Sequence, residues 1–313
     1  MIILFGSNIY DLFFHMANFP DKDQAVHLGE HEERPGGKGA NQAVAAAKAG
    51  SKVRFFGALG NDDHGHKMRD NLQEEGIDVS GVEMLEDEHS GLATIFVDEN
   101  DGTHRVVVSQ GANRYAKQDT IPDDLLTPDT ILLLQRELCV EEIAKLLTRA
   151  KDRGGRAVMN LAPAKEIPES MLHQLDYIIL NEYEAESLAN AIGADSADKW
   201  AFAKYLYDTY ELATIITLGQ DGSICYCAEG EFEVGTLSIN AIDTIGAGDA
   251  FSGYFCAAID QDKSVKDALR IAAVASCLAC TKVGAMTALP SQEEVAKLLP
   301  QIKINQRNIN AAA

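Results

Sequence analysis

Basic charge is scarce in this chain: 27 Lys and Arg face 48 Asp and Glu among 313 residues, a net charge of −21. Such a surface repels phosphodiester backbones and anionic bilayers, which argues against nucleic acid and membrane as partners. It does not exclude small anions, which backbone amides bind without net positive charge. Long apolar runs are missing too, since none reaches the about 18 residues of a membrane span. The opening stretch MIILFGSNIYDLFF lacks a basic leader and a small-residue cleavage site, so it reads as a buried strand and the expected location is cytoplasmic. Repeats and low-complexity tracts are absent, and the tail NQRNINAAA carries no functional signal.

Cysteine is sparse: Cys139, Cys225, Cys227, Cys256, Cys277 and Cys280, all in apolar segments. Reduced thiols are expected. Cys277 and Cys280 have redox or zinc spacing, but no second ligand pair accompanies them, and the surrounding IAAVASCLACTKVGA reads as a buried helix. Two nucleotide-binding fingerprints are also missing. No GxxxxGK[ST] phosphate loop occurs, and no GxGxxG follows a strand, which argues against a dehydrogenase.

What is present is an alternation of short β-rich and helical runs, which predicts an α/β fold with a largely parallel sheet. Continuous apolar runs at 2–7, 53–59, 130–135, 156–162, 177–181 and 214–219 read as strands covered on both faces. Helices are expected over 39–49, 64–75, 141–153, 182–191, 197–209, 248–259, 265–281 and 292–299. Two places break the alternation. QAVHL (24–28) reads as a short strand, and 91–111 as a β-hairpin whose turn contains Asp101-Gly102. Together they predict a small sheet projecting from the body, a lid or a dimer surface, spanning about 11–33 and 91–112 of a single domain over 1–313.

The stretch DTIGAGDAFSGYF (243–255) strips side chains away at Gly246, Ala247 and Gly248, just before the single acid Asp249 and an apolar helix. Two readings fit. In one, the bare helix N-terminus is an anion hole. Asp249 then acts as a general base on a hydroxyl while the amides of 246–248 stabilise a transferring phosphoryl group. In the other, the glycines make a tight turn and Asp249 is a helix-start acid. A second glycine-rich turn, RPGGKGANQAVAAAKAG (34–50), opens an alanine-rich helix with Gly36 and Gly37 for close approach, Lys38 for charge and Asn41 as donor and acceptor. Asn181 and Glu184 are one helical turn apart, suited to water-mediated Mg²⁺ binding or to plain helix capping. TLGQDGS (217–223) is either a nucleotide-contacting turn or only a hairpin turn.

Taken in order, the GGKGAN turn, the N-x-x-E pair, the T-L-G-x-x-G turn and the D-T-x-G-A-G-D stretch resemble the ribokinase-like carbohydrate kinases over nearly the whole chain. LLQREL and NLAPA add to that likeness. The resemblance implies a Rossmann-like body, a mostly parallel central sheet flanked by helices, and a small β-sheet lid that often dimerises. It implies ATP, Mg²⁺ and phosphorylation of a sugar hydroxymethyl group, with ribose first in line. Asp249 becomes the base, and Gly246, Ala247 and Gly248 the anion hole. Asn181 and Glu184 position Mg²⁺ and phosphates, and Thr217, Gly219 and Gly222 line the nucleotide. Asp11, Gly37, Lys38, Asn41 and Glu137 bind the sugar. A monovalent cation, K⁺, falls to Asp243 and to the carbonyls of Ile245, Ala279 and Gly284. Alternatives are another pentose, a ketohexose, a sugar acid or a nucleoside, or a non-catalytic sugar sensor on the same fold. A sugar phosphate would call for more basic residues than the lone Arg136.

Three positions depart from the family pattern. Ile9 stands where an asparagine is usual, with Asn8 one place early and, by strand alternation, on the other face. Ala288 replaces a serine near the cation, and Ala273 a polar residue near the base of the nucleotide.

Overall fold

The computed structural model describes residues 1–100 and 103–307. The expected Asp101-Gly102 turn and the last residues of the tail lie outside them. Strand β1 (Ile2–Phe5) is followed by β2 (Ile9–Met16), β3 (Glu32–Gly36) and helix α1 (Lys38–Lys48). Next come β4 (Val53–Gly60), α2 (Asp63–Glu74), β5 (Asp78–Leu85), β6 (Gly91–Asp98) and β7 (His104–Ser109). A regular alternation follows: β8 (Ile131–Leu134), α3 (Val140–Asp152), β9 (Arg156–Asn160), β10 (Tyr177–Asn181), α4 (Glu182–Ile192), α5 (Lys199–Tyr210) and β11 (Ala213–Thr217). The chain continues with the pair β12 (Ser223–Cys227) and β13 (Gly230–Val234) and with α6 (Ala247–Asp260). Helices α7 (Val265–Ala279) and α8 (Gln292–Leu298) and strand β14 (Ile304–Arg307) complete it.

The large sheet runs β14-β13-β12-β11-β10-β9-β8-β1-β4-β5. From β11 to β5 every pairing is parallel, while β12, β13 and β14 extend one edge in antiparallel fashion. Alternation divides the core. Ile2 and Leu4 of β1 pack with α1, α6 and α7 on one face, and Ile3 and Phe5 with α3, α4 and α5 on the other. Both faces are covered, which is why the inner strands are apolar runs, unlike the edge strand β5 (DVSGVEML).

A second sheet, β3-β2-β6-β7, stands apart from the first. The hairpin expected over 91–111 supplies β6 and β7, but the expected strand at 24–28 does not form. Its place is taken by β2 and β3, and Val26 and Leu28 are exposed with no partner strand to bury them. The polar sequences of β3 and β14 gave no strand signal, because their pairing comes from neighbours rather than from apolar runs.

One packing contact positions everything that follows. Helices α1 and α6 approach so closely that a Cβ on Gly253 would lie 2.6 Å from the Gln42 carbonyl oxygen. The small residues of α1, Ala43, Ala45 and Ala46, are fully buried and make that approach sterically possible.

Candidate active site

Two cavities meet at the N-terminus of α6. One, of about 440 Å³, is floored by the α1 turn and Asp249. The other, of about 400 Å³, lies between the β11–β12 turn and α7. Thr217, Thr244 and Gly248 line both, so the cavities join where the first helical turn of α6 begins. Gly246 caps that turn at φ 79°, a left-handed conformation that side chains resist, and a Cβ there would lie 2.8 Å from Ala285 Cα. Around Gly248 nothing lies within 4 Å of a Cβ position, so the helix end is open to a ligand. First-turn N–H groups have no partner within the helix and carry the positive end of its dipole.

Asp249 is 5% exposed. Its Oδ2 accepts from Asn41 Nδ2 and its Oδ1 from Gln42 Nε2, both at 2.9 Å. The Asn41 Oδ1 is buried without a protein partner, an acceptor still unspent beside the cavity. Glu137 accepts from the Lys38 backbone N–H at 3.0 Å and from the Ser7 hydroxyl. The carboxylate of Asp249 beside it holds Lys38 above the ordinary lysine range, with Glu137 and Glu184 adding to the effect and burial opposing it. Burial, reinforced by Glu137, pushes the Asp11 carboxyl up to about 7. Burial likewise raises Glu184. Asp11, Glu137, Glu184 and Asp249 thus share one cavity with a single lysine. A polyanion here must rely on backbone amides, Lys38 and counter-cations.

The small sheet roofs this cavity with one face. Ile9 and Asp11 of β2, Ala93 and Ile95 of β6, and Val106 and Val108 of β7 point into it at a spacing of two. Register explains the match, since Asp11 pairs with Ala93 and Ala93 with Val108. Tyr10 falls on the opposite face, against Leu59 and Met68. Asn8 is buried away from the cavity lining, and its backbone is gripped by the Asn113 side chain. It does not take over the place of Ile9.

Asn181 and Glu184 form a reciprocal capping box: each backbone N–H is bonded by the other's side chain at 2.8 Å. Helix capping is therefore real, and both residues line the first cavity all the same. Gly219 and Gly222 line the second cavity on a turn that is also the β11–β12 hairpin turn. Ala273 lies there too, beside Cys277 and Cys280. Asp243 joins two loops, accepting from Ile245 N and from Gly284 N, each at 2.9 Å. Ala279 is buried at the end of α7 and Ala288 is fully buried. Arg136 takes no part in the cavity, for its guanidinium donates to the carbonyls of Glu166 and Leu138. Ser7, Gln42, Gln135 and Asn160, to which no role falls from the sequence, join the buried polar groups around Glu137 and Asp249. The available signal was a glutamine between Asn41 and the apolar run 43–47 of the helix.

The pfkB family carbohydrate kinase model matches residues 1–292. The chain belongs to the pfkB family of carbohydrate kinases. It is therefore a phosphotransferase acting on an alcohol. Among curated relatives of this kinase, the ribokinase of Schizosaccharomyces pombe is 33% identical over 308 residues, covering 94% of this chain and 96% of its own. A deoxyribokinase of Salmonella typhi is 32% identical, with 94% and 96% covered. The crystal structure of Thermotoga maritima ribokinase superimposes with a TM-score of 0.89 at 30% identity, covering 96% of this chain and 99% of that one. The fold is ribokinase-like: a large, mostly parallel sheet with flanking helices and a small separate sheet. Among the described residues no helix is long and apolar enough to cross a membrane.

Proposed function

We propose that this kinase transfers the γ-phosphoryl group of ATP to the primary hydroxyl of a small sugar, with ribose the first substrate to test. The observation that carries the reading is the place of Asp249: buried, fixed by two amide donors, and beside the open N-terminus of α6 where the two cavities join. The sugar occupies the cavity of Asp11, Lys38, Asn41 and Glu137, and the nucleotide that of Thr217, Gly219 and Gly222. Asp249 takes the hydroxyl proton as the oxygen bonds to the γ-phosphorus and the bond to the β,γ-bridging oxygen breaks. ADP leaves, and the proton remains on Asp249 until solvent accepts it. The backbone of Gly246, Ala247 and Gly248 holds the charge on the equatorial oxygens.

The donor set fits Mg²⁺ held through water. Asn181 and Glu184 each spend one oxygen on the capping box, which leaves a second carboxylate oxygen on Glu184 for a hydrated ion and no cage for a bare one. Bound there, Mg²⁺ would neutralise phosphate charge. K⁺ fits the hard oxygens of Asp243 and the carbonyls of Ile245, Ala279 and Gly284, since each Asp243 oxygen accepts one N–H and retains lone pairs.

Two further parts of the reading concern assembly and location. Every residue of β7 is exposed, and Val107, on the face turned from the cavity, is 64% exposed on an edge strand. Such an edge suits pairing with a second copy, which supports a homodimer through the small sheet, the lid of the site. Six unpaired thiols support a cytoplasmic location.

A second substrate reading follows from Ile9. Its apolar side chain, packed with Phe13, Ala93 and Ile95, offers no hydrogen bond to a ring hydroxyl. A sugar lacking one hydroxyl would leave nothing unpaired there, and the deoxyribokinase relative acts, by its name, on such a sugar. The deciding experiment measures ADP release across ribose, deoxyribose, other pentoses, hexoses, sugar acids and nucleosides, with and without K⁺. Release with any of these sugars supports the reading; release with none of them overturns it.

A further inference from the structure

Behind Asp249 runs a chain of buried amides, of which Asn160 lines the first cavity and Gln42 and Gln135 line neither. Gln135 Nε2 donates to Gln42 Oε1 at 2.7 Å. Gln42 Nε2 donates to Asp249 Oδ1 at 2.9 Å and to Asn160 Oδ1 at 3.0 Å. Asn160 Nδ2 ends the branch on the Ile179 carbonyl at 3.2 Å, on β10. Gln42 is 0% and Gln135 1% exposed. Neither lines the sugar or the nucleotide cavity, so neither can touch substrate.

Burying a primary amide costs free energy unless its donors and acceptor are met. Gln42 meets all of them. The bonds also fix its sense. An ionised carboxylate only accepts, so Gln42 must turn its NH₂ toward Asp249, and its carbonyl then faces the Gln135 NH₂. The reverse orientation would set a carbonyl oxygen against a carboxylate. Each bond in the series polarises the next in the same direction, ending on the acid. The side chains are carried by regular secondary structure, α1, β9 and the first turn of α6, with Gln135 directly after β8.

We propose that Gln42, held by Gln135 and Asn160, is a positioning residue that fixes the Asp249 carboxylate for proton transfer. Asn41 grips the other oxygen from the substrate side, and Gln42 grips Oδ1 from the protein side. Together they prevent rotation of the carboxyl plane. The inference rests on the reading of Asp249 as the base.

The test uses the full-length protein, ATP, Mg²⁺ and the best sugar from the substrate screen. It compares Gln42→Met, Asp249→Asn and the double variant, with thermal melting as a check of folding. The expected result is a kcat for Gln42→Met lower by ~10²-fold, the scale of a catalytic group misplaced by about 1 Å, with both KM values within about twofold of wild type. In the Asp249→Asn background, Gln42→Met should cost nothing further, because the residue acts through that carboxylate. A near-normal kcat in Gln42→Met overturns the proposal. So does an equal fractional loss in both backgrounds, which marks a purely structural glutamine. If instead Asp249→Asn itself turns over normally, the base reading has failed and the positioning role falls with it. Should Gln42→Met fail to fold, Gln135→Met, which removes only the anchor, is judged by the same criteria.

Discussion

Asn41 and Asp249, 208 positions apart in the chain, meet across a hydrogen bond of 2.9 Å. The bond ties the glycine-rich start of α1 to the glycine-rich start of α6, two segments that are unrelated in sequence order. It leaves the Asn41 carbonyl oxygen buried and unbonded, aligned with the role of an acceptor for a substrate hydroxyl. The buried acid can be tested directly. Asp249→Asn keeps the shape and should melt near the wild-type temperature and retain sugar affinity by calorimetry. Turnover should fall by at least ~10²-fold, the scale of losing a general base. Near-normal turnover would remove Asp249 from the chemistry.

Asp11 sets a pH dependence. Its carboxyl is pushed up to about 7, first by burial and then by Glu137. The folded value lies above the unfolded one, so the folded state holds the extra proton between about 4 and about 7. The stability this contributes is present at the acid end of that range and lost as pH rises through about 7. Thermal melting of wild type minus Asp11→Asn should show that slope. Above about 7 the ionised Asp11 becomes an acceptor-only group, so the sugar KM should fall as pH rises through that point. A KM profile identical in Asp11→Asn would show that Asp11 does not meet the sugar.

The proposed role of Ile9 in substrate choice has its own test. Ile9 points into the first cavity from β2, with Asp11 two residues on and on the same face. Ile9→Asn should raise kcat/KM for ribose relative to deoxyribose by about tenfold, the scale of one net hydrogen bond. An unchanged ranking of sugars would show that position 9 does not read the ring.

The proposed cation site at the Asp243 loops can be tested by salt exchange. With K⁺ in place of Na⁺ at equal ionic strength, activity and melting temperature should both rise, and Asp243→Ala should abolish the difference. Equal melting and equal rates in the two salts would remove the cation site.

Much of the body was legible because its signals are local. The inner strands of the parallel region are apolar runs, the edge strand β5 (DVSGVEML) being the exception, and each expected helix forms within a few residues of its expected ends. The capping box at Asn181 and Glu184 was readable from spacing alone, since both partners lie within one turn. The strand expected at 24–28 failed because a short apolar run forms a strand only where a neighbour can pair with it. β3 and β14 form without apolar runs because neighbours are there.

The amino-acid sequence by itself determined the alternating α/β order, the bare turns before Lys38 and Asp249, and the family to which those turns belong. Only the tertiary structure decided that Gln42 stands behind Asp249, that Arg136 faces away, and that one face of the small sheet roofs the cavity of Asp249. These depend on how close α1 and α6 come and on the register of paired strands. Both are contacts between distant segments, and local spacing carries no record of them.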